Sequence, residues 1–372
     1  MRPLLPPLPI AFIAFGMLWG AWQAVLPDLA GHYRLTTGPL GLILTAGFAA
    51  SLPVMLLSGR ILDRVGPGRG IAVAGFAMAA GVLLVAVLPP LPLLVLAVVV
   101  WAASSGSFDV AINAAAMADP LWSRPARLTL LHAAFSAGGL AGALAGGAVL
   151  GAGLSFALVY PVLAVAIVGA SLLALTSTWR TPPGAGSVPR AIAMAMLPLA
   201  ALVGLALLAE GSMETWSAIY LRDVLGAAAF VGALGPAAFH AAMLVGRLVG
   251  AGVAGTLGAS ATLFVSGLMV VAGMSVALAV PVAGLAIPAM AVAALGISFA
   301  VPVVVSLAAR RAGAYAGRAA SYVLTLGYAG FLVGPSLVGI IGELAGLRVA
   351  LAVVPVAAAV IALASRARLV RG

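Results

Sequence analysis

The sequence predicts an all-α integral membrane protein with twelve transmembrane helices, arranged as two pseudo-symmetric six-helix halves. Its 372 residues are 64% apolar and 7% charged, which leaves too few polar side chains to cover a water-soluble globule. Only helices and closed barrels span a bilayer, because unpaired backbone groups are costly in lipid. The apolar runs lack the alternation of barrel strands, so helices are expected.

Charged, proline-rich and glycine-rich segments divide the chain into twelve runs that can each cross the hydrocarbon core as a helix. The first run has no small-residue cleavage site, so it is expected to be a retained span and not a signal peptide. The predicted spans start near Pro9, Pro39, Ile71, Leu91, Leu128, Ser155, Ala191, Ala227, Ala261, Val282, Ala316 and Leu347.

All 18 basic residues are arginine, and their positions predict the orientation. Basic residues concentrate in cytoplasmic connections, so the arginine-rich side is assigned to the cytoplasm, with both termini there. The net charge of +10 is attributed to arginines that orient the protein in the membrane, and no nucleic-acid partner is expected. Arg34, Arg222 and Arg348 fall on the outer side. The cytoplasmic set is Arg2, Arg60, Arg64, Arg69, Arg124, Arg127, Arg180, Arg190, Arg247, Arg310, Arg311, Arg318, Arg366, Arg368 and Arg371.

The segment RTPPGAGSVPR, Arg180–Arg190, is predicted to be a cytoplasmic linker because it is rich in Pro and Gly and has an arginine at each end. It separates an N-terminal half, residues 1–179, from a C-terminal half, residues 191–372. GSFDVA (residues 106–111) is similar to ISFAVP (297–302), and GLAGALAGG (139–147) is similar to FLVGPSLVG (331–339). Parallel repeats of this kind are typical of secondary transporters.

A charged cluster joins the second and third predicted spans in SGRILDRVGPGRG. Gly59, Asp63, Arg64 and Gly66 have the spacing G-x-x-x-D-R-x-G. This pattern resembles the signature of the major facilitator superfamily at the same junction. The resemblance implies the major facilitator fold and a gating role for these four residues, in which Asp63 locks the closed inner gate against the start of the eleventh span.

The equivalent stretch of the second half is AGVAGTLG, which ends at Gly258. It keeps the final glycine, but Gly255 and Thr256 stand where the Asp and Arg would be. The latch is therefore expected on one side only. Arg247, in LVGRLVG, is assigned to gating as well.

A narrower resemblance is to the fucose-permease-like branch, through SFDVAINAAA, AEGSMETWSAIYL, LVGRLVG and LGYAGFLVGPSLVGIIGE. That branch has a carboxylate in its fourth helix followed four residues later by Asn, which Asp109 and Asn113 match. Its second carboxylate lies in the first helix before a Leu-Pro pair. Here Gln23 takes that position ahead of Leu26-Pro27, which argues against fucose as the solute.

Ionisable groups inside membrane spans are costly and mark ion or proton pathways. Asp109 shares a helical face with Ser105 and Asn113 and is predicted to couple transport to protons. His132 has a side chain that titrates near neutral pH and is a further candidate. The alternative for both is an interhelical hydrogen bond that only supports the structure.

The seventh predicted span carries Glu210 and Glu214 on one face. Glu210 is predicted to be the deeper residue and to bind protons, whereas Glu214 is expected in the solvated outer mouth near Arg222 and Asp223. His240, in the next span, shares a face with Arg247 and is treated as secondary.

The solute site is predicted to combine flat apolar surface with hydrogen-bonding groups near the midplane. The residues assigned to it are Trp22, Gln23, Asn113, Trp216 and Tyr328.

These features predict a secondary active transporter that moves a sugar-like or other small organic solute by alternating access, coupled to protons. One alternative is a proton-coupled exporter of amphipathic drug-like compounds, since Gly138, Gly142, Gly146 and Gly147 have the antiporter spacing, although Ala143 replaces its Pro. The other is a receptor that binds a solute without moving it.

An enzyme is not expected, because the sequence shows no nucleophile–base arrangement or metal-ligand pair. No cofactor or metal is predicted. The chain has no Lys, so a phosphate-binding loop of the ATPase type is excluded. The expected setting is the inner membrane of a bacterium, as a monomer.

Overall fold

The computed structural model describes residues 6–180 and 189–366, and the regular secondary structure within them is helical. A 3-10 turn at Phe156–Leu158 precedes α6, a π turn at Tyr220–Val224 follows α7, and a 3-10 turn at Gly313–Tyr315 precedes α11. The helices are α1 (Pro7–His32), α2 (Thr37–Val65), α3 (Pro67–Ala86), α4 (Leu91–Ala118), α5 (Pro125–Gly151), α6 (Val159–Ala174), α7 (Arg190–Ile219), α8 (Ala229–Ala279), α9 (Ala283–Ile297), α10 (Ala300–Ala312), α11 (Ala316–Ala345), α12 (Leu347–Ala350) and α13 (Val353–Ala364).

The described residues supply twelve membrane crossings, as predicted. Ten continuous helical stretches are long and apolar enough to span a bilayer. Two of them each contain two crossings: Ala229–Ala279 is broken at Gly258, and Ala283–Ala345 is broken at Gly313–Tyr315. Several helices begin earlier than predicted because a proline occupies their first turn, where its missing N–H costs nothing. The third, for example, begins at Pro67 and not at Ile71.

Gly66 and Gly258 occupy equivalent positions in the two sequence halves and share one backbone conformation. Gly66 precedes α3 with φ 81° and ψ 154°, and Gly258 interrupts α8 with φ 75° and ψ 165°. This region of φ and ψ is open essentially to glycine alone. The final glycine of the charged motif is therefore required by the sharp turn between two membrane crossings, in both halves.

The chain divides into two compact units. Unit 1 takes the described residues within Met1–Leu35, Leu42–Gly184 and Ala228–Ala237, and unit 2 takes those within Thr36–Gly41, Ala185–Ala227 and Ala238–Gly372. The predicted linker at 180–190 falls largely on residues 181–188, which lie outside the described residues. The division at that linker stays a prediction.

In unit 1, α1 and α5 approach closely through glycines. A Cβ added at Gly20 would collide with the backbone of Gly139, and one added at Gly142 would collide with the backbone of Met17. Small residues of this kind let transmembrane helices pack backbone to backbone.

Unit 2 repeats this arrangement with α7 and α11, where a Cβ at Gly330 would collide with the backbone of Gly204. Gly330 aligns with Gly138 of α5, where an added Cβ would collide with the backbone of Ile13, so the internal similarity of the sequence extends to helix packing. The glycine-rich faces of α5 and α11 thus allow close approach of α1 and of α7, respectively.

Candidate functional site

Asp109 and Asn113 lie together on α4 in unit 1, as their spacing predicted. The Asn113 side-chain amide donates to the Asp109 carboxylate at 3.0 Å and to the Asp109 backbone carbonyl at 2.9 Å. Both residues are half-buried. Ser105, one turn earlier, is buried and donates to the carbonyl of Ala102. This face of α4 thus places a hydrogen-bonded carboxyl group inside an apolar span, where it can accept or release a proton.

An aromatic cluster surrounds the predicted solute residue Trp22 in unit 1. The Trp22 and Trp101 rings lie 4.6 Å apart, Trp19 and Trp101 lie 4.9 Å apart, and Trp19 stacks on Phe48 at 5.9 Å. Trp22 is 5% exposed and Gln23 is 2% exposed, so both contribute to the interior of unit 1.

Trp101 and Trp19 were missed at the sequence level. The Trp101 indole N–H is buried without a hydrogen-bond partner in the described part of the chain, which indicates room for a polar acceptor. Trp19 stands three residues before Trp22, on the same helical face, and that spacing was a usable signal.

His132 lies on α5, half-buried, with its ring edge-on to Phe12 of α1 at 5.5 Å between centroids. This places it at the close α1–α5 contact. Its proposed role in proton coupling stays a prediction.

A second cluster of ionisable groups lies in unit 2, between α7 and α8. Glu214 Oε1 is 3.7 Å from His240 Nε2, and their side chains are 10% and 1% exposed. Arg247 lies within electrostatic range of Glu210, Glu214 and Tyr328 of α11. The two helices are antiparallel here, because the later residue of α7, Glu214, faces the earlier residue of α8, His240, while the earlier Glu210 lies near the later Arg247.

One expectation from the sequence was wrong here. Glu214 is buried and faces a buried histidine, so it is not a solvated mouth residue; α7 stays helical to Ile219. Arg247 lies within the helical stretch between Ala229 and Gly258 and is half-buried; its assignment to the cytoplasmic side stays a prediction. His240, treated as secondary, is buried beside Glu214.

The polar residues that follow Glu214 are also buried. Trp216 is fully buried, Ser217 is 4% exposed, and the indole N–H of the first and the hydroxyl of the second have no hydrogen-bond partner among the residues described. Buried polar groups are nearly always paired with protein or water. These two groups therefore mark a polar region near the C-terminal end of α7.

The residues predicted to gate the protein, near the α2–α3 turn, are largely at the surface. Gly59, Asp63 and Arg64 near the end of α2 are exposed, and Gly66 forms the turn into α3. Within the described ranges Asp63 makes no hydrogen bond or ion pair that would fix it. Its role as a latch stays a prediction.

Comparison with known families decides the identity of this helical architecture. The family described as Major Facilitator Superfamily matches residues 8–335. The chain belongs to the Major Facilitator Superfamily. It is therefore a multi-pass membrane protein of a transporter family whose members carry small solutes, and it is not an enzyme.

Relatives within the superfamily cover nearly the whole chain. An uncharacterized transporter of Sinorhizobium fredii, y4wD, is 28% identical over 97% of this chain and 98% of its own length. An MFS-type transporter of Yersinia pestis is 29% identical over 96% and 94%. The membrane protein MosC of Rhizobium meliloti is 28% identical over 95% and 87%.

Solved structures share the fold at low identity. The nucleoside transporter NupG has a TM-score of 0.79 at 12% identity, covering 96% of this chain and 98% of its own. A bacterial homologue of the human lysosomal transporter Spinster has a TM-score of 0.76 at 16% identity, with coverages of 97% and 96%. FucP, the fucose:proton symporter of E. coli, has a TM-score of 0.66 at 18% identity, with 97% of each chain covered. The predicted superfamily fold is confirmed.

Proposed function

We propose that this Major Facilitator protein is a proton-coupled secondary transporter that moves a small organic solute across a bacterial inner membrane by alternating access. The observation that supports the proposal is that titratable side chains lie within apolar spans of both units. Asp109 is held by Asn113 in unit 1, and Glu214 faces His240 in unit 2. Ionisable groups at such depth are costly and typically serve substrate or proton pathways.

The solute class is proposed from the residues around Trp22 and Trp216. Within unit 1, the tilted indole rings of Trp22 and Trp101 offer a flat apolar surface, and Gln23 and Asn113 offer hydrogen-bonding groups. Within unit 2, Trp216 and Tyr328 offer the same two kinds of group. Sites for sugars and nucleosides combine these two kinds of surface. Among the proteins with the same fold, NupG carries nucleosides and FucP carries fucose with protons. Nucleosides and sugars are therefore the first solute classes to test with this chain.

The antiporter-like glycines of α5 do not require an export function. A Cβ at Gly138 would collide with the backbone of Ile13, and one at Gly142 with that of Met17. Close packing of α5 on α1 thus accounts for the spacing. Uptake of a solute with protons is therefore preferred over export of amphipathic compounds.

The orientation is proposed from the arginine distribution. Arg60 and Arg64 lie near the end of α2, Arg69 lies in the first turn of α3, and Arg124 lies between α4 and α5. Because such connections stay on the cytoplasmic side, both termini are placed in the cytoplasm.

The proposal predicts that Asp109→Asn separates proton coupling from solute exchange. A ligand is first found by thermal-shift screening of the purified protein with sugars, nucleosides, organic acids and cationic drugs, since ligands that bind the native state stabilise it. In proteoliposomes the variant should then lose accumulation of that ligand driven by a proton gradient, because an amide cannot carry the proton, yet keep counterflow.

Asp223→Asn is the matched control, since Asp223 is an exposed carboxylate at the outer end of α7 and its loss should leave accumulation intact. Undiminished proton-driven accumulation in Asp109→Asn would remove Asp109 from the coupling mechanism. Binding without counterflow in the wild type would make the protein a receptor.

A further inference from the structure

Exposed arginines gather at one end of unit 1. They lie near the end of α2, in the first turn of α3, between α4 and α5, and shortly after α6. The members of this basic patch are Arg64, Arg69, Arg124 and Arg180. They outnumber the carboxylates of Asp63 and Asp119, which lie on the same segments, so the patch has a net positive charge.

Backbone contacts and one hydrogen bond bring these segments together. The Trp179 indole N–H donates to Asp119 Oδ2 at 3.0 Å, which ties the segment after α6 to the end of α4. A Cβ added at Gly66, in the α2–α3 turn, would lie 3.2 Å from the Trp179 backbone oxygen, and one added at Gly68 would collide with the carbonyl of Ala174 at the end of α6. The arginines that adjoin these contacts therefore share one face of unit 1.

The guanidinium groups of the basic patch are available to a ligand. Within the described ranges, none of the four makes a hydrogen bond, an ion pair or a ring contact. Arg127, which follows on α5, differs because it donates to the Leu121 carbonyl at 3.2 Å. A guanidinium presents paired N–H donors that fit two oxygens of a phosphate group. Four of them on one face favour a ligand with an anionic phosphate.

Apolar side chains beside the basic patch indicate that this ligand also has acyl chains. Leu57 and Ile61 are exposed on the last turns of α2, Leu121 is exposed after α4, and Leu172 and Leu175 are exposed at the end of α6. A soluble phosphate compound would use the charge of the arginines and gain nothing from these side chains. A phospholipid contacts both kinds of surface at once.

We infer that the basic patch binds the headgroup of an anionic phospholipid, whose acyl chains lie on the neighbouring apolar side chains. The proposed orientation puts this face at the cytoplasmic leaflet, where anionic lipids attract basic segments next to membrane spans. The inference goes beyond the proposed function, because neither the solute nor proton coupling enters it.

Phosphatidylglycerol with short acyl chains is the probe for this site. The purified protein in a neutral detergent is titrated with it, and retained lipid is counted by native mass spectrometry. One arginine near an anionic lipid surface is worth about fivefold in affinity. The triple variant Arg69→Gln, Arg124→Gln, Arg180→Gln should therefore bind the lipid about a hundredfold more weakly. Its thermal unfolding without lipid should match that of the wild type, since these guanidinium groups contact no described residue.

Arg34→Gln is the matched control. Arg34 is an exposed arginine of the same unit, but it lies between α1 and α2, at the other end of α2 from Arg64. Its replacement removes one positive charge and should leave the affinity unchanged. Loss of affinity in Arg34→Gln equal to that in the triple variant would trace binding to overall charge and overturn the site.

Phosphatidylcholine with the same acyl chains should be retained far less than phosphatidylglycerol. Equal retention of the two lipids would overturn the inference, and so would wild-type affinity for phosphatidylglycerol in the triple variant. Glycerol phosphate has the phosphate charge without acyl chains and should not compete at the concentrations where the lipid binds; competition there would make the patch a site for a soluble phosphate. None of these measurements uses a transported solute, so their failure leaves the proposed function standing, and a failure of transport leaves them unchanged.

Discussion

Asp63 and Glu214 show how differently two carboxylates of one chain are placed. Asp63 is exposed in an arginine-rich connection, while Glu214 is 8% exposed inside a span. The need for basic residues on the cytoplasmic side explains Arg60 and Arg64, but it does not explain an acidic residue between them. Asp63 lies in the last turn of α2, and by the resemblance its latch partner is the positive end of another helix, an interaction of about 0.3–1 kcal/mol when exposed. An interaction of that size suits a latch that must open in every cycle.

Replacing Asp63 with Asn should favour the inward-open form and slow transport without abolishing solute binding. Loss of about 0.3–1 kcal/mol shifts a two-state balance about twofold to fivefold. The chain has no cysteine, so one introduced at Ser105, on the Asp109 face of α4, is a single reporter. Its labelling by a membrane-impermeant thiol reagent from the cytoplasmic side should accelerate by that factor.

Arg60→Gln is the control for Asp63→Asn, because it removes a charge from the same connection without touching the carboxylate. Its labelling rate should equal that of the wild type. Lost solute binding at an unchanged labelling rate in Asp63→Asn would refute the latch.

At the scale of the helices, glycine sets both the sharp turns and the close crossings. Gly66 and Gly258 supply the left-handed turn between consecutive crossings, whereas Gly139 and Gly330 let helices meet at their backbones. The start of α2 adds a polar feature, since the Gly38 N–H donates to Glu343 of α11 within unit 2. Such caps satisfy N–H groups that have no partner inside the helix.

Gly258→Ala should destabilise the protein through its backbone alone. A Cβ at Gly258 would meet nothing within 4 Å, so the loss of stability would not come from a collision with neighbouring residues. A non-glycine residue in this conformation costs about 1–3 kcal/mol. Thermal unfolding in detergent should show a lower midpoint.

Gly255→Ala provides the matched control on the same helix. Its Cβ also meets nothing within 4 Å, and its φ is not in the left-handed region. Alanine there should raise stability by about 0.5–1 kcal/mol. Equal midpoints for the two variants would show that the turn at Gly258 is not strained by a side chain.

For the whole molecule, the sequence was sufficient for the twelve crossings, because apolar length and glycine or proline punctuation are local signals. The contact between Asp109 and Asn113 could also be predicted, because residues four positions apart on one helix lie on the same face. The pairing of Glu214 with His240 could not, because the residues are far apart in the chain and meet only through the mutual orientation of α7 and α8. The position of Arg247 within its helix likewise depends on where α8 breaks, at Gly258.

This superfamily member is proposed to move a solute by alternating access, coupled to protons. Counterflow in proteoliposomes tests it most directly, using the ligand found by thermal shift, loaded inside and traced outside. We expect labelled ligand to enter against its own gradient without any proton gradient, and an imposed inward proton gradient to drive net accumulation. Ligand that binds the reconstituted protein but never exchanges across the membrane would contradict the account.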